Sequence, residues 1–382
     1  MKNLYFLSFF LVLFYSCTIK KDKSDYIIEI NVEKNYEEKI IYLQDIANVK
    51  YVPLKTNEGY ITTSRPRIIR DNFILLYDFH TNQILIFDSN GNTKSRFSRY
   101  GNGPGEYLSA SSIIYDEKYK ELFIRDSFLK KILVYDLNGH FKRDFPFKLN
   151  SYYVNIAEFD DKSLICYNSD PDHKELGSSY LLISKQNGSV LKEIKHTFNK
   201  ILDLSVIVKT ESGTMTFSSD SYPIVRINDG FLLSDLSSDT IYKLSYNLDY
   251  KPYIVRKPSI LTMNPPVFLR ACLETSKYLF YSVVKKEWNE NNEFPSKAYV
   301  FNKETKRVNE QKIVNKDFPM CDIFLDPGVI NYDIDSNHGL IRLNAEDLVT
   351  AYNENKLQGE LKNIARNLKE DDNQVLMFLD FK

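Results

Sequence analysis

The chain has 382 residues and a formal charge of −1, from 50 Lys and Arg against 51 Asp and Glu. No strong net field is available to recruit nucleic acid or anionic lipid, which sets both readings aside. With 43% hydrophobic and 14% aromatic residues, including 27 Tyr and 25 Phe, the sequence can fill a large core and leans toward strands.

The first residues read as a targeting signal and not as fold. Lys2 is a positive start. Leu4 to Tyr15 is an apolar run too short to span a bilayer. Ser16-Cys17 follows, and Leu13 to Cys17 resembles a bacterial lipoprotein cleavage site in which Phe14 replaces the usual Leu. On this reading residues 1–16 are a signal peptide, Cys17 is lipidated, residues 17–25 form a solvated tether and residues 26–382 fold. Plain secretion with an incidental Cys is the alternative. Cys166, Cys272 and Cys321 are widely spaced and odd in number, so they form neither a disulfide framework nor a zinc pattern and read as buried thiols.

Gln83-Ile-Leu-Ile-Phe-Asp-Ser-Asn-Gly91 aligns without gaps on Lys131-Ile-Leu-Val-Tyr-Asp-Leu-Asn-Gly139, about 48 residues on, within the period of a propeller blade. Tyr180 to Gly188 is a weaker third copy, and Thr240 to Asn247 and Ala298 to Thr305 are fainter ones. Each copy is a strand entering an Asn-Gly or similar turn, which supplies the positive φ of a tight hairpin. Phe73 to Asp78, Glu121 to Asp126 and Phe231 to Asp235 place another hairpin ahead of the copies. A unit of four short strands cannot bury both faces alone; stacking around an axis does so.

The expected fold is therefore an all-β, six-bladed propeller of four-stranded blades. Blade one covers 64–99, blade two 101–149, blade three 150–200, blade four 201–257 and blade five 258–314. Blade six takes 315 to the C-terminus and borrows its outer strand from Val49 to Leu54, against which Val375 to Leu379 pairs to close the ring. A helical insertion is expected at about 344–373, with Asn344 as N-cap and Leu357, Leu361, Ile364 and Leu368 on one face.

Arg99 to Phe145 resembles an NHL-type repeat: Tyr100 to Tyr107 is similar to its opening glycine loop, Leu122 to Asp126 to its second strand, and Ile132 to Gly139 to its third strand and turn. With its leader, the whole chain resembles the uncharacterised six-bladed β-propeller lipoproteins of Gram-negative bacteria. That resemblance implies a fold and an extracytoplasmic location, at the outer membrane or cell surface, and brings no activity.

Gly101, Gly103 and Gly105 suggest a phosphate loop, but no Lys and no helix follow, so they read as a structural turn capped by Glu106. Asp78, Asp126 and Asp235 end equivalent strands; they read as turn residues that accept from their own amides, against a ring of Ca²⁺ ligands as in lactonase-type propellers. The five His, His80, His140, His173, His196 and His338, show no metal-binding spacing. No nucleophile elbow or Cys-His pairing is legible.

Insertions at Asn168 to Ser179, Lys285 to Lys297 and Asn344 to Asn373 all interrupt the step from second to third strand, which places them on one face with the Gly101 loop. Tyr100, Glu106, Tyr107, Asp170, His173 and Trp288 are the expected binding face. The expected function is recognition or scaffolding of a protein or glycan, with no cofactor, no nucleic acid and membrane contact through the lipid only. The alternative is a metal-dependent, lactonase-like hydrolase using Ca²⁺ in the central channel. A third reading is a structural subunit of an outer-membrane complex.

Overall fold

Runs of β-branched and aromatic residues form the middle strands of each repeat, and glycines in the left-handed region turn them. Gly91, Gly139 and Gly188 have φ of 83°, 79° and 71°, the values that the Asn-Gly turns require. A Cβ on Gly139 would also lie 2.4 Å from the Phe97 ring of the neighbouring blade, so the turn is fixed by conformation and by close approach together.

The computed structural model describes residues 26–148, 151–168, 177–197, 200–210, 213–219, 221–291, 293–323, 325 and 337–382. Strands β1 (Ile28–Asn31) and β2 (Glu38–Tyr42) lead through a one-turn helix α1 (Leu43–Ile46) into β3 (Ala47–Pro53). Blade one is β4 (Pro66–Arg70), β5 (Phe73–Asp78), β6 (Gln83–Phe87) and β7 (Thr93–Phe97). Blade two is β8 (Ser112–Asp116), β9 (Glu121–Asp126), β10 (Lys131–Tyr135) and β11 (Phe141–Pro146). Blade three is β12 (Tyr153–Glu158), β13 (Ser163–Asn168), β14 (Gly177–Ser184) and β15 (Val190–Thr197). A separate hairpin, β16 (Ser205–Thr210) with β17 (Gly213–Ser218), then precedes blade four: β18 (Ile224–Ile227), β19 (Gly230–Leu233), β20 (Thr240–Ser245) and β21 (Tyr250–Lys257). Blade five is β22 (Val267–Glu274), β23 (Tyr278–Lys285), β24 (Ser296–Asn302) and β25 (Arg307–Asn315), with β26 (Phe318–Ile323) folded back on β25. Blade six shows β27 (His338–Leu343), β28 (Val375–Phe381) and β3 in that order, with α2 (Ala345–Asn353) and α3 (Gly359–Ala365) between β27 and β28.

The six blades form a ring, with the first strands of successive blades facing one another at the axis. The expected closure is present: β28 runs antiparallel to β3, pairing Leu376 with Val52 and Leu379 with Val49. Two differences from the expected boundaries have physical causes. Blade four begins at Ile224 and not at 201, because residues 205–218 pair only with themselves. The segment before β3 is also structured, β1 lying parallel along β21 and β2 along β25. Those strands cover the outer edges of blades four and five, edges that would otherwise offer unpaired backbone groups.

The core lies in layers between blades. One apolar cluster joins each neighbouring pair, and the last, built on Val52, Leu54, Ile74, Phe87, Leu340 and Leu376, joins blade six to blade one. The helical insertion belongs to this core: Leu348, Leu357, Leu361 and Ala365 pack with Phe280 and Val300 between blades five and six. Asn344 does occupy the N-cap position, but its side chain caps no amide and instead donates to Asp347 at 3.0 Å. Between blades two and three the layer ends in a buried charge cluster, Lys185 Nζ lying 2.6 Å from Asp116 Oδ2 and 2.7 Å from Glu158 Oε1.

Leu376→Ala should cost about 2–5 kcal/mol, the range for opening a cavity in a packed core, and deletion of 372–382 should abolish the cooperative unfolding transition. Circular dichroism melts test both, and an unchanged melt of the truncated chain would contradict ring closure. Lys185→Met strands the buried Asp116 carboxylate beside the half-buried Glu158 and should cost about 3–5 kcal/mol, the scale for breaking a buried pair from one side; denaturant unfolding measures it.

Candidate functional site

In a sequentially wound blade, the turns from second to third strand and the connections between blades emerge at one end. On this upper face large apolar side chains stand in water: Ile61, Phe79, Tyr100, Phe128, Ile207 and Met215, with Tyr100 54% and Phe128 75% exposed. They come from five different turns, connections and insertions. Tyr119, Phe141, Val190, Leu191 and Tyr246 are exposed at or beside the turns of the opposite face, so apolar exposure is not confined to the upper one.

Inside this rim a cavity of about 620 Å³ follows the axis. It is walled by the first strands of blades one to four and by the connection that leaves the extra hairpin. Its charged groups are Arg65 and Arg67 on blade one, Arg125 on blade two and Arg226 on blade four; Ser111, Ser112, Ser219, Ser221 and Tyr222 add hydroxyls. No Asp or Glu is among its described lining residues. Arg125 is buried, with Nη1 donating to the Tyr153 carbonyl at 2.6 Å and Nε to Ser112 Oγ at 3.2 Å. Burial holds its pKa below the ordinary arginine value, and the like charge of Arg67 pushes the same way. Arg67 also sits with its guanidinium 5.2 Å from the Phe79 ring centre, coupling cavity to rim. Arg226 donates from Nη2 to the Glu158 carbonyl at 2.8 Å and lines a second cavity of about 920 Å³ toward the lower face, so it marks the floor of the upper one.

The residues singled out from sequence are distributed unevenly over this geometry. Tyr100 is on the rim. Tyr107 is a correction: it is 0% exposed, its ring meets Tyr77 and Tyr135 edge-on, and its hydroxyl donates to the Asn82 carbonyl at 3.1 Å. It therefore pins the glycine loop from beneath. Glu106 is spent on the same loop, Oε2 accepting from the Gly103 amide at 2.7 Å. A Cβ at Gly101 would lie 2.1 Å from that oxygen, and Gly105 has φ 70°. Cys17, Asp170 and His173 lie outside the described residues. Cys166 and Cys272 are buried free thiols.

The three aspartates are turn residues. Asp126 accepts from Phe128 and Leu129 in its turn and from Leu108 and Ser109 in the connection entering its blade, at 2.6 to 3.2 Å. Asp78 accepts from Thr81 and Ser64, and Asp235 from the Ser237 amide and the Tyr167 hydroxyl. Each ties the upper turn of its blade to a second segment. Among the described residues, no three His, Cys, Asp or Glu side chains are grouped to hold a metal ion.

Trp288 is half-buried, in the loop between β23 and β24. It stacks on Phe217 of the extra hairpin, with ring centres 3.9 Å apart and planes 11° from parallel, and meets Phe294 edge-on at 5.2 Å. One ring face is thus covered by the chain itself. A small cluster of Leu204, Ile260, Phe268 and Val284 seats the hairpin and this loop on blade five.

Residues 27–380 match the family described as Domain of unknown function (DUF4934). The chain belongs to the DUF4934 family. This DUF4934 chain resembles the crystal structure of a Bacteroides fragilis NCTC 9343 protein described as exported, at TM-score 0.64 and 16% identity over 94% of this chain and 100% of that one. A DUF4221 member from Bacteroides vulgatus ATCC 8482 is more distant, at TM-score 0.49 and 12% identity over 89% and 99%. Likeness at these identities shows the fold alone. No curated protein matches.

The arginine set went unread in the sequence, although it left a signal. Pro66-Arg67-Ile68 and Val225-Arg226-Ile227 each set a cation between apolar residues of an innermost strand.

The Trp288–Phe217 stack makes a quantitative expectation. Trp288→Ala, Phe217→Ala and the double variant should show a coupling of about 0.5–1.5 kcal/mol in denaturant unfolding. Additive effects would mean that the hairpin is held without this contact.

Proposed function

We propose that this DUF4934 protein is a lipid-anchored extracytoplasmic recognition module that engages a protein or glycan partner through its upper face. The observation that carries the reading is the exposed apolar rim, from Ile61 round to Phe128 and the 205–218 hairpin, gathered on one face. Exposed aromatic and aliphatic side chains from separate turns, around a concave centre, are the usual chemistry of an interaction surface. The hydrolase alternative needs carboxylates converging on the channel; the polar lining of the upper cavity is arginine, serine, asparagine and tyrosine, and the carboxylates Asp71, Glu117, Glu158 and Asp380 line the lower cavity. Anchoring rests on the Ser16-Cys17 junction after an apolar run. It is compatible with the fold, in which no described helix is long and apolar enough to cross a membrane.

Cys17→Ala should move the protein from the membrane fraction to the soluble one, and retention at the membrane would remove the anchor from this proposal. Phe79→Asp with Phe128→Asp should leave the melting temperature nearly unchanged, because both side chains are exposed, and should abolish capture of membrane partners and of array-bound glycans. Undiminished capture by this variant would overturn the upper face as the binding surface.

A further inference from the structure

We propose that the axial cavity is a binding site for a small carboxylate-bearing ligand, held by Arg65, Arg67, Arg125 and Arg226 beneath the apolar rim. Four guanidiniums from three blades converge on one cavity of about 620 Å³ in a chain whose formal charge is −1. The net charge therefore does not explain them; the fold concentrates cations here. A cavity of about 300–1,000 Å³ is the usual size for a small-molecule site. Planar guanidiniums match carboxylates in fork geometry, and gain strength where water is scarce.

Two details make the site a built one. Arg125 is 7% exposed and its direction is fixed by the Tyr153 carbonyl and Ser112 hydroxyl, so its charge is held in place before any ligand arrives. A guanidinium fixed in this way can meet an entering carboxylate without rearrangement of its own. The hydroxyls of Ser111, Ser219, Ser221 and Tyr222 surround the cations with neutral groups able to hydrogen-bond hydroxyls. Together with the Phe79 ring beside Arg67, this lining suits a compact acid carrying hydroxyl groups, such as a uronic acid. Such an acid can come from the acidic end of a glycan or from a free organic acid; the shared chemistry is the carboxylate.

Isothermal titration of the full mature chain in detergent tests the proposal with three probes: glucuronate, glucose and succinate. The expected result is binding of glucuronate, none of glucose, and at least tenfold weakening when salt is raised from low to physiological levels. Succinate binding as tightly as glucuronate supports the carboxylate site and assigns it to free organic acids; weaker succinate binding supports an acidic sugar. Arg67→Gln should weaken binding at least tenfold. Arg65→Gln, at an exposed position, should weaken it less and keeps the test open should Arg67→Gln fail to fold. Equal binding of glucose and glucuronate, no binding of either acid at millimolar concentration, or unchanged affinity in folded Arg67→Gln would overturn the proposal. Phe128, 75% exposed and not among the residues lining the cavity, is the rim position whose variant leaves these readouts untouched, so Phe128→Asp alone lets the cavity and the rim fail separately.

Discussion

Everything in this molecule depends on joining the two ends of the chain. A propeller buries each blade against two neighbours, so an open ring leaves two apolar layers in water. The β28–β3 ladder removes that exposure, and its cluster on Leu376 and Val52 is the layer between the last blade and the first. Closure brings together residues more than 300 positions apart in a 382-residue chain, which costs chain entropy that only the completed ring repays. The strands before β3 extend this arrangement, because β1 and β2 lie along blades four and five on the way to blade six. Residues 28–42 thus run along the outer edges of two blades before the chain becomes part of a third.

Closure sets the number of blades but not their spacing at the axis or their tilt. Those are fixed by polar contacts that join neighbours at both ends of the layers. At the upper end, Asp126 and its equivalents Asp78 and Asp235 each fasten a turn to a second segment. Elsewhere Lys185 holds the carboxylates of Asp116 and Glu158, which end the first strands of blades two and three. Charged groups so deeply buried are not a cheap source of stability. What they supply is direction, because an ammonium held by two carboxylates from different blades tolerates little rotation of one blade against the next. The carboxylates that sequence alone offers as candidate Ca²⁺ ligands are therefore occupied in holding the frame on which the arginines stand.

How much of this could be read from the sequence follows from the distance over which each feature is written. Asn-Gly turns and the apolar runs beside them are local, so blades one and two, the closing strands and the helical insertion were all legible. The 205–218 hairpin was absorbed into blade four because a self-paired hairpin has the same alternation as half a blade. The strands β1 and β2 carry no turn signal at all, since they pair in parallel with distant partners. Tyr107 misled for the opposite reason. Its place in a glycine-rich loop suggests exposure, yet its hydroxyl reaches the Asn82 carbonyl of blade one and its ring fills the layer between blades. The axial arginines are not legible as a set because they come from three blades far apart in sequence, and only the ring makes them neighbours.

The same logic separates the two ends of the functional question. Rim residues such as Phe128 and Ile207 sit on turns and on an added hairpin, where side chains can change without disturbing any layer between blades. Arg67 and Arg226 sit on first strands and Arg125 on the second strand of blade two, where positions are constrained by blades on both sides. A cation kept at such a position must be oriented by its surroundings, as Arg125 is by Tyr153 and Ser112. A surface built this way can vary the partner it meets at the rim while holding constant the charge it presents at the centre. The stacking of Trp288 on Phe217 belongs to neither layer: it fixes the hairpin to blade five, and so sets how far the rim reaches over the mouth of the cavity.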